Sequence, residues 1–496
     1  MEPRTDTVFP AARSELIFGL FALLCGMGLC NFVFFGGLNL GFSIAMIAAL
    51  LCAAIYLRCQ GCAFSPYAVA LLSLCLIISA GFARSDDGFV KFVMLCFLAL
   101  GSNLALTLVS GQNLRSPNGL SSVLDSFRGF FTMGFNGMTP ACRGLKQSLR
   151  GGSPVLKKSG SILLGLAICV PVLAVMIPLL ISADAAFSGI MALLPQFDLG
   201  ELILTVLFGL PTALFLYSQA TALRHSCPSQ GAYREIELSV SHLTVNTVLG
   251  GICAVFSVYL FSQLAYFGGG FSGILPEEFT MAEYARRGFF EMAWLCAIDL
   301  GIIAAAAAFV RHKEGKMPLS TRLLCLFIGV VTLFFVVSAS AKMFMYIDSY
   351  GLTRLRVLTE VIMVFLGIAT ATVSIWLFVP KLPYFKVILL VALVMGTAVL
   401  WADVDTVVAN YNVSAYQNGQ LKTVDVEYLA SLGDGAKPHI ARLKDDPDPS
   451  VSNAAKKYLT CYSAQHSFDF CSWNYASHAA TAFYTQPPTQ LSKTNS

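Results

Sequence analysis

Eleven runs of about 20 predominantly apolar residues, near 16–35, 40–57, 66–82, 89–109, 160–182, 199–223, 240–266, 290–310, 319–340, 359–379 and 387–401, constrain this chain more than any other feature. Most are about the length a helix needs to cross a hydrocarbon core some 30 Å thick, the second and last being short. In that solvent every backbone N–H and C=O must be paired internally, so only helices and closed barrels span it. Barrel strands would alternate apolar with polar residues, whereas these runs are apolar throughout. Charged residues make up 12% of the 496 and hydrophobic residues 56%, with a mean hydropathy of +0.71, which a soluble core could not hide. The expected fold class is all-α: a polytopic transmembrane helical bundle of about 11 spans with a small, mostly helical extracytoplasmic C-terminal tail.

The loops orient the bundle. With the N-terminus in the cytoplasm, alternation gathers on the cytoplasmic face Arg58, the long basic loop 111–159, Arg224 with Arg234, the cluster Arg311, Lys313, Lys316 and Arg322, and Lys381 with Lys386. This is the positive-inside pattern, and an error of one span would invert every later loop. The first apolar run begins after Glu15 and is longer than a signal core, so it reads as a retained anchor. The organisation expected is a cytoplasmic N-terminus at 1–15, a transmembrane domain at 16–402, an extracytoplasmic helical tail at 403–480, and a Thr-, Gln-, Pro- and Ser-rich end at 481–496 that is expected to be disordered.

Within the basic loop, Leu120, Val123, Leu124, Phe127 and Phe131 recur at helical spacing, followed by Arg143, Lys146, Arg150, Lys157 and Lys158. A helix lying on the bilayer against anionic headgroups fits that pattern. No aromatic platform interleaves the bases, so nucleic acid is not an expected partner. In the tail, 424–432 and 438–443 read as short helices broken by Gly433 and Gly435. There, 445–462 reads as a turn entering a helix with Val451, Ala454, Ala455 and Leu459 on one face.

Most of the 15 cysteines fall in spans or on the cytoplasmic side, where they act as small hydrophobes. Cys59 and Cys62 form a C-x-x-C with no second pair, which argues against a zinc site. Cys461 and Cys471 are the two in the tail, facing an oxidising compartment, and are expected to pair with each other. The chain carries no Walker A loop, H-E-x-x-H, Gly-x-Ser-x-Gly or paired metal-ligand cluster. No catalytic residue, metal or cofactor is therefore expected.

Ionisable residues inside spans are costly and need a partner, water or a function. Asp299 lies about nine residues into its span, and Glu291, eight residues earlier, falls roughly 80 degrees round the helix, so both can address one broad face. Tyr284, Arg286 and Arg287 precede them. The next outer loop region carries Lys342, Tyr346, Tyr350, Arg354 and Arg356, and Glu360 opens the following span. Two readings stand. The charges pair with each other and hold helices in register, or they line an outward-facing cavity in which arginines grip an anionic or zwitterionic ligand while Asp299 carries a proton or fixes a cation. In the seventh span His242 and Asn246, one turn apart, can hydrogen-bond across the bundle.

These residues also carry a resemblance. Tyr-Ala-Arg-Arg-Gly-Phe-Phe-Glu at 284–291, Tyr346 with Ile347, Tyr-Gly-Leu-Thr-Arg-Leu-Arg at 350–356, Asn-Tyr-Asn-Val at 410–413, and Asp425, Tyr428 and Leu429 resemble the bacterial multi-spanning proteins of the domain-of-unknown-function 4173 family, related to the 4153 family. The resemblance covers roughly 16–443. It implies a multi-pass protein of the bacterial plasma (inner) membrane with an external tail, and it supplies no reaction and no catalytic residues. The leading expectation is a protein that binds or transports a small polar or lipid-derived solute through that outward-facing site. The alternative is a non-transporting scaffold or sensor whose motif loops dock the external tail or an envelope partner, and an integral-membrane enzyme comes third.

Overall fold

In a computed structural model of the chain, the described residues are 13–110, 199–225, 240–270, 289–310, 317–460 and 470–483, with isolated positions between 127 and 180. Among them there are helices and turns and no strand; an isolated bridge joins Val240 to Val310. Nine of these helices are long and apolar enough to cross a membrane. A tenth expected span is present as the shorter apolar helix Pro66–Gly81. The expected span at 160–182 and the amphipathic stretch of the basic loop lie largely outside the described residues. A helix apolar on all sides has no stripe to turn toward a small core, and a bilayer is the setting in which such a helix is stable.

The chain divides into two compact units. The first holds α1 (Arg13–Asn31, drawn out by a π-helical turn at Phe32–Gly36), α2 (Leu40–Cys59), α3 (Pro66–Gly81), α4 (Gly88–Ser110) and α5 (Leu199–His225). Ser65 caps α3 by accepting the Ala68 N–H at 3.2 Å, with Pro66 at the first helical position. In lipid the apolar effect does not press helices together, so small residues and polar links hold them. The α1–α5 pair shows both. Gly26 lies so close to α5 that a Cβ there would stand 2.5 Å from the Ala213 Cα, and one on Gly209 would meet Met27. Asn31 donates to the Thr205 hydroxyl at 3.1 Å, and Gln219 donates to the buried Asn103 carboxamide oxygen of α4 at 2.6 Å.

The second unit holds α6 (His242–Gly270), α7 (Phe289–Phe309), α8 (Leu319–Tyr350), α9 (Arg354–Phe378) and α10 (Tyr384–Ala402). Helix α8 is the hub, packed by α6, α7 and α9. Asn246 of α6 donates to Ser320 at 2.8 Å and accepts from Thr321 at 2.7 Å, which is the cross-bundle bond expected of it. With 32 residues, α8 is about 48 Å long. That exceeds a 30 Å hydrocarbon core by roughly 18 Å, so an untilted α8 extends beyond it.

After α10 the same unit continues as α11 (Val404–Gln417), α12 (Val426–Ser431), α13 (Lys437–Ile440) and α14 (Pro449–Thr460), with 3-10 turns at Asp434–Ala436 and Ala441–Leu443. These short helices do have one buried face. Val404, Val408, Ala409 and Val413 of α11, Leu429, Ile440 and Leu443, and Val451, Ala455 and Leu459 of α14 are all buried. His439 sits half-buried in this small domain. Burial, helped by the nearby Arg442 cation, holds its imidazole below the usual value of 6.5. The unfolded chain therefore binds a proton there that the folded one resists, and stability is lost as pH falls below about 6.5. Acid-induced loss of α11–α14 protection in hydrogen exchange is expected to be smaller in His439→Gln, and an unchanged profile would remove this residue from the effect.

Candidate functional site

The turn between α8 and α9 meets the small helical domain through two locks. Arg354, the first residue of α9, donates from Nε to Asp405 Oδ1 at 2.8 Å and from a terminal nitrogen to Oδ2 at 2.6 Å. Two parallel charge-assisted bonds are the strongest geometry available to such a pair. Asp405 is 1% exposed and the Arg354 side chain 34%. The Gly433 N–H adds a third donor to the carboxylate at 2.9 Å, and the Arg354 N–H donates to the Tyr428 hydroxyl oxygen at 2.9 Å.

Beside it, the Asn412 carboxamide accepts the Leu352 N–H and donates to the Leu352 carbonyl, both at 2.7 Å. A side chain here pairs with backbone as a neighbouring strand would. Gly351 makes this approach possible: its φ is +74°, and a Cβ on it would run into the Asn412 oxygen at 2.6 Å. The Tyr-Gly-Leu-Thr-Arg-Leu-Arg run thus has a division of labour. Gly351 ends α8, Leu352 offers both backbone groups, Thr353 caps α9 through the Arg356 N–H at 3.4 Å, and Arg354 reaches the carboxylate.

Arg356 turns the other way. Its guanidinium lies 4.2 Å from the Tyr346 ring centroid, and it donates to the carbonyls of Tyr350 and Gly351. The Tyr346 and Tyr350 rings are 5.0 Å apart. Of the arginines that the ligand-binding expectation offers, Arg354 and Arg356 are therefore engaged within the chain, and Arg286 lies outside the described residues.

Asp299 does not join them. It is buried on α7, and its Oδ2 accepts from the Thr332 hydroxyl of α8 at 2.7 Å; that hydroxyl also lies 2.9 Å from the Ile328 carbonyl. Thr332 is 18 residues below Tyr350 on α8, roughly 27 Å along the axis. Glu291 is exposed in the first turn of α7, so it shares no buried face with Asp299. Among the described residues, the cluster expected at the ends of these helices is two separate features. An equal-length reading of the spans put them at one level, whereas α8 overshoots the start of α7 by about two turns. Lys342 is half-buried on α8, and Glu360 is half-buried on α9 with a buried Oε2 that has no hydrogen-bond partner among the described residues. Tyr284, Arg286, Arg287 and Cys461, and with Cys461 the expected disulfide to Cys471, lie outside the described residues.

Thr332→Val is expected to cost about 1–3 kcal/mol by stranding the Asp299 carboxyl. Asp299→Asn, which keeps a hydrogen-bonding group of the same length, is expected to cost less. Thermal unfolding in detergent ranks the two, and the reverse order would mean that the bond does not hold α7 to α8.

Asp405 is the residue of the lock that sequence reasoning passed over. Its signal was present: it lies on the stripe Val404, Val408, Ala409 and Asn412, and an acid on a buried face requires a partner. Asn412 and Tyr428 were visible as motif residues, without a role.

The model of the family described as Domain of unknown function (DUF4153) matches residues 21–443. The chain belongs to this family. No curated protein and no solved structure matches it. In this DUF4153 chain the whole lock, from Gly351 to Gly433, lies inside the matched stretch, while α14 and the segment 470–481 lie beyond it.

Proposed function

We propose that this protein is a multi-pass scaffold or sensor of the bacterial plasma membrane, its N-terminus cytoplasmic, that holds a helical domain at the extracytoplasmic surface for an envelope partner. The observation that carries this reading is the bidentate Arg354–Asp405 pair, which fastens that domain to the helix turn. A motif that in a transporter would present cations to solute instead engages its own chain. Orientation is supported within each unit. The 351–354 turn shares a face with α11–α14, and the turns at 37–39 and 82–87 share a face with residues 471–476. The charge alternation assigns all of these to the outer side. Kinship with the 4173 family is proposed on the Tyr-Gly-Leu-Thr-x-x-Arg run.

Transport of a small polar or lipid-derived solute is the second reading, favoured by one observation, the buried Asp299 in an apolar helix. The two separate in a deletion strain complemented by full-length variants present at equal membrane levels. The scaffold reading expects Asp405→Ala to fail and Asp299→Asn to complement. Failure of Asp299→Asn with complementation by Asp405→Ala would overturn it in favour of proton-coupled transport.

A further inference from the structure

Residues 470–474 form a turn that enters the short helix Tyr475–Thr481, and this segment lies in the first unit as a bound peptide would. The Leu40 N–H donates to the Trp473 carbonyl at 3.1 Å and the Gly41 N–H to the Cys471 carbonyl at 3.2 Å; in return the Tyr475 N–H donates to the Ala83 carbonyl at 2.8 Å and the Ala476 N–H to the Arg84 carbonyl at 3.3 Å. Four main-chain bonds of this kind bind backbone whatever its sequence, and side-chain pockets then choose the sequence. The floor of the cleft is glycine. A Cβ on Gly36 would stand 2.8 Å from the Cys471 carbonyl oxygen, and one on Gly41 3.1 Å from it.

One side chain enters a socket. Asn474 is 3% exposed, and its Nδ2 donates to the Ser85 carbonyl at 2.5 Å, to the Phe82 carbonyl at 3.4 Å and to Asn39 Oδ1 at 3.2 Å. The socket is held open by its own bonds: Lys91 Nζ donates to Asn39 Oδ1 at 2.7 Å, and Asn39 Nδ2 donates to the Gly36 carbonyl at 2.8 Å. A carboxamide N–H₂ is what a set of three oxygens accepts; aspartate there would be repelled. The next residue, Tyr475, lies under the Arg84 guanidinium, 4.9 Å from the ring centroid.

We propose that the rim formed by residues 36–41 and 82–91 is a peptide-recognition cleft, filled here by the chain's own segment, and that it takes in trans a peptide that turns into a helix through an asparagine followed by an aromatic residue. The cleft lies within the family-matched stretch, and its occupant lies beyond residue 443. The receptor is thus part of the shared domain and the ligand an extension of this chain. This inference rests on the first unit and is independent of the Arg354 lock.

The test uses the full chain with a protease site placed between residues 462 and 469. After cleavage, a fluorescent synthetic peptide of residues 470–483 is titrated against cut and uncut protein in detergent, with release of the original segment followed by mass spectrometry. Saturable binding to the cut form alone is expected, weakened at least tenfold in the Asn474→Ala peptide and also weakened in Tyr475→Ala. Equal binding of wild-type and Asn474→Ala peptides, or no exchange under excess peptide, overturns the proposal. A photo-crosslinker at position 475 of the uncut chain is expected to join within one chain. A cross-linked dimer would overturn the self-filled state, by seating the segment in the cleft of a second copy.

Discussion

Arg354→Ala is expected to detach the helical domain from the α8–α9 turn at a cost of about 3–5 kcal/mol, nearer the lower figure because the guanidinium is partly exposed. The loss comes from the partner left behind. Asp405, 1% exposed, would keep the Gly433 N–H and lose both guanidinium bonds, leaving a buried carboxylate without its counter-charge. Asp405→Ala should cost less, since the remaining arginine can reach water. Arg354→Lys should not restore stability, because an ammonium cannot make the two parallel bonds. Hydrogen exchange across 404–443 reads the effect directly. Protection in Arg354→Ala equal to that of the wild type would show that the Asn412–Leu352 bonds suffice and that the ion pair is dispensable.

Position 26 is expected to be comparably intolerant for a steric reason. A side chain there meets the α5 backbone at Ala213, and backbone cannot rotate out of the way as a flexible side chain can. Gly26→Val is expected to force α1 and α5 apart and cost about 3 kcal/mol or more, at or beyond the upper end of ordinary overpacking. Gly28→Ala is the control on the same helix, since its Cβ would find Phe32 at 3.6 Å and Ala45 at 3.9 Å, both ordinary contacts. Thermal midpoints in detergent should fall sharply for the first and little for the second. Similar midpoints would mean that the α1–α5 crossing is not held by close approach at Gly26.

Much of the helical architecture was legible because a bilayer leaves so few choices. Runs such as 319–340 and 359–379 have no amphipathic face to mislead, and their helices appear as α8 and α9. The break at Gly433 between the short tail helices was likewise readable from turn residues, whereas Gly435 lies within the 3-10 turn Asp434–Ala436 that leads into α13. What failed was level and pairing. Hydropathy ends a span where charge begins, so Lys342 to Tyr350 read as a loop, whereas they continue α8 as helix. That error put Asp299 beside Arg354. Pairing fails for a different reason: the partner of Arg354 is 51 positions away and that of Asn474 is 435 positions away, and periodicity reports only neighbours within a helix or strand.

That last separation has a consequence in time. The socket for Asn474 is built by residues 36–91, and the residue that fills it is made 435 positions after Asn39. At about 5–20 residues per second, synthesis leaves roughly 20–90 seconds between Asn39 and Asn474. Throughout that interval the rim, once folded, has no Asn474 to fill it. Every newly made copy therefore passes through an open form before it reaches the closed one.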